Sequence, residues 1–124
     1  MIYTSNFSKI RDLIYHHGFK YSDLVGVSSS KPDIGFKINW CEELAPKLGN
    51  LIVYKANLMS WKEYAEKYYN QLYDMEWVFW RDFEANFDGK VLLCYEKDYK
   101  HCHRYLIGKF FEWWSCKSGV FKEI

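Results

Sequence analysis

Four consecutive apolar residues, Val91-Leu92-Leu93-Cys94, stand without polar alternation, the pattern of a strand buried on both faces. The turn pair Asp88-Gly89 precedes them and a charged loop follows. Beyond the loop, Tyr105-Leu106-Ile107 and Phe110-Phe111-Glu112-Trp113-Trp114 are apolar at helical spacing, which predicts a helix over 101–114. At the other end of the chain, residues 2–5 read as a strand with a polar tail, Thr4-Ser5-Asn6. Ser8 then stands as the cap of a helix reaching 17, with Ile10, Leu13, Ile14 and His17 on one face and Gly18 as its stop. Residues 24–28 form a second short strand, and Ser28-Ser29-Ser30-Lys31-Pro32-Asp33 is a loop by composition. Strand, helix and strand in this spacing predict a right-handed parallel βαβ unit.

The middle of the chain is less regular. Residues 34–40 read as irregular or as a short edge strand, and 41–48 as a helical turn interrupted at Pro46. Residues 51–54 fit a strand and the start of a helix equally well. Regularity returns at Ser60, which with Glu63 makes a capping box. Trp61, Tyr64, Ala65, Tyr68 and Leu72 follow on one helical stripe. A further helix is predicted over 75–87, with Trp80, Phe83 and Phe87 inward, and a last strand over 120–124. The expected architecture is one α/β domain over residues 1–124: a small, mostly parallel, Rossmann-like sheet flanked by helices.

Composition changes this picture in one respect. Of 124 residues 49% are hydrophobic and 27% charged, an ordinary balance, but 21% are aromatic. A chain of this size hides only part of so many rings, so an aromatic-lined pocket or an aromatic partner surface is expected. A net charge of +1 leaves no global field for duplex nucleic acid. No apolar run approaches the roughly 20 residues of a membrane span. Four cysteines without a secretion signal suggest free thiols and a cytoplasmic location.

Parallel strands would bring their carboxyl ends to one rim, where open α/β sheets bind ligands. Thr4, Ser5, Asn6, Ser28, Ser29, Cys94, His103 and Arg104 are the candidate ligand-binding residues on that rim. Arg104, in the first turn of the last helix, would offer a planar fork to an anion beside unpaired backbone N–H groups. The commonplace alternative is that the serines make turns and caps. Glu96 just past a buried strand suits a nucleophile or general base, and a loop-holding salt bridge to Arg104 or Lys97 equally. Cys102 beside His103 and Arg104 would have a lowered thiol pKa, which suits a nucleophile. No metal or cofactor is expected. The Cys94, Cys102 and His103 spacing is not that of a CxxC knuckle, and neighbours on a helix point about 100° apart.

The run Leu92-Leu93-Cys94-Tyr95-Glu96-Lys97, followed by Cys102-His103-Arg104, resembles the signature of the family known as domain of unknown function 488. Residues 1–7, Glu43-Leu44-Ala45-Pro46 and Ser60-Trp61-Lys62-Glu63-Tyr64 fit the same family in the same order. The resemblance implies a compact α/β domain and names no reaction. Related sequences tend to carry an arginine after the serine that ends the second strand. Here Ser29 and Ser30 follow Ser28, and Lys31 is the nearest cation. The leading expectation is a binding domain for a nucleotide or another nucleic-acid-derived anion. One alternative is an enzyme on such a ligand through Glu96 or Cys102. The other is an interaction module pairing with a second copy or another protein through its aromatic surface.

Overall fold

The computed structural model describes residues 1–33, 35 and 37–124. Its strands are β1 (Ile2–Asn6), β2 (Leu24–Gly26), β3 (Asn39–Trp40), β4 (Val91–Cys94) and β5 (Phe121–Glu123). They form one sheet in the order β3-β2-β4-β1-β5, and every pairing is parallel. The predicted sheet is therefore present, with all described strands running the same way. The edge strand at Asn39–Trp40 answers the ambiguous 34–40 stretch in part; Ile34 and Phe36 lie outside the described residues.

Alternation along the strands separates two cores. Leu92 and Cys94 face one side with Ile2, Val25 and Val27, under the helices that carry Tyr68, Leu72, Trp80, Phe83, Ile107 and Phe111. Val91 and Leu93 face the other with Leu24, Ile38 and the helix residues Ile10 and Leu13. A strand that packs on both faces has no polar side to show, which is why 91–94 reads as an unbroken apolar run.

Several helix ends differ from the sequence pattern. Asn6, not Ser8, caps the first helical segment: its side-chain oxygen accepts from the Ser8 N–H at 3.1 Å. The chain passes straight from β1 into a 3₁₀ turn, so the strand's last residue is also the cap. Helix α1 (Ile10–Tyr15) stops before His17, which is exposed. Helix α2 (Leu48–Lys55) follows the break at Pro46 and settles 51–54 as helical. In α3 (Trp61–Tyr73), Ser60 Oγ accepts from the Glu63 N–H at 3.1 Å, and the predicted stripe is buried apart from half-buried Trp61. The single helix expected over 75–87 is two, α4 (Trp77–Arg81) and α5 (Phe83–Phe87), broken at Asp82 with φ −95° and ψ 0°. The break leaves Trp80 and Phe83 both buried, with ring centroids 5.1 Å apart.

Helix α6 (His103–Ser115) begins two residues later than expected. Residues 99–101 form a 3₁₀ turn, and Cys102 is extended at φ −130° and ψ 149°. Among the described residues no helix is long and apolar enough to cross a membrane.

Candidate functional site

Register places the strand tails side by side: Asn6 pairs with Cys94 and Gly26 with Leu93. The polar groups expected on this rim divide into two sets. Those on β1, with Arg104, are occupied internally, while His103 and those between β2, β4 and α2 line a cleft.

Arg104 is fully buried and faces into the protein. Its Nε and Nη2 donate to the two carboxylate oxygens of Glu123, at 3.0 and 2.8 Å, a bidentate pair. Nη1 donates to Cys94 Sγ at 3.0 Å and to the Glu96 carbonyl at 2.6 Å. The same Glu123 carboxylate accepts from Thr4 Oγ1 at 2.8 Å, and Ser5 Oγ donates to the Ile124 carbonyl at 2.8 Å. Thr4, Ser5 and Arg104 thus tie α6 and β5 to the end of β1, while the Asn6 side chain is held by Ser8. This corrects the expectation of an exposed anion fork: the anion that Arg104 meets is Glu123. The sequence pattern hid the pairing because residues 104 and 123 meet only when α6 crosses back to the sheet.

The cleft lies on the other side of β4. It holds about 50 Å³ of open space and is bordered by Ser28, Ser29, Ser30, Tyr54, Lys55, Tyr64, Glu96 and His101, with Cys94, Cys102 and His103 at its base. Ser28 Oγ donates to the Ser30 carbonyl at 2.5 Å and Ser29 Oγ to the Pro46 carbonyl at 2.6 Å, so both hydroxyls also shape the loop. Glu96 pairs with Lys55 of α2 across the mouth, in place of the expected Arg104 or Lys97. The cleft shares Tyr54 and His101 with a wide, shallow groove that also includes Trp61. Trp61 meets His101 edge-on at 5.2 Å, and Tyr54 stacks on Tyr64 at 4.7 Å.

The base of the cleft is chemically specific. His103 Nε2 lies 2.6 Å from the Val27 carbonyl. A carbonyl only accepts, so Nε2 carries the proton and Nδ1 keeps its lone pair. That lone pair faces Cys102 Sγ at 3.6 Å. Burial pushes the imidazole pKa down to about 4; the Val27 hydrogen bond opposes the shift and the Arg104 charge adds to it. His103 is therefore neutral near pH 7. The sulfurs of Cys94 and Cys102 are in direct contact, with their Cα atoms 7.9 Å apart. Cys41 and Cys116 lie apart from this pair, the first buried and the second exposed. The helical-wheel objection to convergence of Cys102 and His103 also fails, because Cys102 precedes the helix and its extended backbone turns the thiol toward Nδ1.

Lys55, Tyr54, Tyr64, Ser30 and His101 were not among the site residues expected from sequence. Lys55 and Tyr54 belong to α2, whose helical character the local pattern left open. Tyr64 is a core position of α3 whose ring also reaches the cleft. The exposed aromatics Tyr73 and Trp113 border a separate groove between α3 and α6.

The fold and the cleft define a parallel α/β protein with a cysteine–histidine cluster at the carboxyl edge of its sheet. Residues 24–115 match the family model DUF488-N3a, described as the active DUF488-N3 subclade, and the chain belongs to that family. No curated protein and no solved structure gives a significant match.

Proposed function

We propose that the protein is an enzyme acting on a nucleotide-class ligand, with the reactive end of the ligand at Cys94, Cys102 and His103 and its base or sugar on the Tyr54–Trp61 groove. The observation that carries this reading is the opening of a sulfur–imidazole base directly beside an aromatic groove. A cleft of about 50 Å³ admits a few waters or one small functional group, far less than a whole nucleotide. A ligand that reacts here must therefore leave most of its bulk outside, and flat rings suit a base or sugar there. Lys55 at the mouth is half-exposed and paired with Glu96, so a ligand anion would compete with that carboxylate for it. The description of the subclade as active supports retained chemistry.

This reading is preferred to simple binding through Arg104 and the β1 tail, because Arg104 and Thr4 bond Glu123, Ser5 bonds the Ile124 carbonyl and Asn6 is held by Ser8. It is tested by incubating the protein with a nucleotide and nucleoside panel and following products by mass spectrometry. Turnover is expected to fall by about 10² or more in Cys102→Ala and His103→Gln, the scale of losing a positioned reacting group. Absence of both turnover and a thermal shift across the panel would reject the nucleotide class.

A further inference from the structure

Resting on the reading of the cleft as a reactive site, we infer that Cys94, Cys102 and His103 hold a zinc-class divalent ion, with the fourth position open to the cleft. Three ligand atoms of the types zinc prefers, two Sγ and one imidazole nitrogen, lie within 4.8 Å of one another, and all three residues are buried. The histidine is already set for the task. Its Nε2–H is held by the Val27 carbonyl, which fixes the ring and leaves Nδ1 as the donor to an ion.

The backbone spacing points the same way. The Cα atoms of Cys94 and Cys102 are 7.9 Å apart, beyond the roughly 7 Å that a direct sulfur–sulfur bond spans without backbone movement. An ion held between the sulfurs, with arms of about 2.3 Å each, would part them and suits a Cα spacing of this width. Charge is balanced as well. Two thiolates and a neutral imidazole offset a divalent cation, and the neighbouring Arg104–Glu123 pair is neutral as a unit. Arg104 Nη1, 3.0 Å from Cys94 Sγ, donates to a sulfur that carries negative charge in this state. Three protein ligands and one free position is the arrangement of catalytic rather than structural zinc.

The test uses the full chain, purified under reductant, stripped with a chelator and titrated with Co²⁺ and then Zn²⁺. Expected are one ion per chain, the intense visible bands of tetrahedral Co²⁺ with a thiolate charge-transfer band, and displacement by Zn²⁺. Cys102→Ser and His103→Gln should each weaken binding at least about tenfold, while Cys116→Ser leaves it unchanged. Circular dichroism checks that the variants fold. If one does not, the unaltered protein decides: Co²⁺ bound without a thiolate band overturns the assignment. So does a Cys94–Cys102 disulfide that persists in reductant with no ion bound. Ion binding is measured without any nucleotide, so the two readings fail separately. Bound ion with an unresponsive nucleotide panel sinks the ligand class alone, and nucleotide turnover by the ion-free protein sinks the ion alone.

Discussion

Arg104 is the residue whose surroundings most change its meaning. A guanidinium with no exposure, forked onto a carboxylate, is expensive to leave half-made. Arg104→Ala would strand Glu123 against the end of β1 and remove the donor to Cys94. A loss of about 3 kcal/mol in folding stability is expected by urea denaturation, and Arg104→Lys should recover little of it because an ammonium cannot reproduce the fork. Stability within about 0.5 kcal/mol of the unaltered protein would show the pair to be dispensable. The two free cysteines make a second contrast at this scale. Burial, reinforced by the Glu43 carboxylate that accepts its S–H at 3.4 Å, pushes the Cys41 thiol up to about 12, whereas Cys116 is exposed. A thiol less acidic folded than unfolded adds stability below its ordinary pKa near 9, and that contribution is lost as pH rises toward 12. Iodoacetamide at mildly alkaline pH should therefore alkylate Cys116 and spare Cys41 until denaturant is added, as peptide mapping would show. Equal labelling of both in the folded protein would contradict the buried placement.

Elements were legible in the sequence where one rule acted alone. The run at 91–94, the stripe from Trp61 to Leu72 and the Ser60 cap all appear where periodicity and capping put them. Legibility failed where two roles met in one residue. Asn6 ends a strand and caps a turn, and Cys102 caps α6 from an extended backbone, so the usual loop between elements is missing. Partners distant in sequence, such as Arg104 with Glu123 or Lys55 with Glu96, leave no local pattern at all. Gly26 is another such case. It sits in β2 opposite Trp40 of β3, and a Cβ there would come within 2.2 Å of the indole ring. The ring therefore lies over the glycine. Gly26→Ala should cost about 1–3 kcal/mol by overpacking, with a red shift in tryptophan emission as the indole moves outward. Emission and stability both unchanged would mean that the edge is soft.

Across the whole molecule, rigidity and openness fall on different elements, and the division runs through the cleft. One wall is β4, flanked on both sides and buried along its full length. The opposite wall is α2, which carries Tyr54 and Lys55 and has no buried residue. Across the mouth, Lys55 and Glu96 form a half-exposed pair, a kind of contact worth about 0–1 kcal/mol. An element with few buried apolar groups opens at low free-energy cost, so α2 is the wall that can yield to a ligand larger than the closed cleft. Backbone hydrogen exchange should be fastest, among the helices of eight or more residues, in α2 (Leu48–Lys55), and slower in α3, α6 and β4. A molecule seated against Tyr54 and Lys55 should slow α2 selectively while leaving β4 as it was. Exchange in α2 as slow as in α6 would make the cleft a closed cavity of its present size, and the ligand would then have to be correspondingly small.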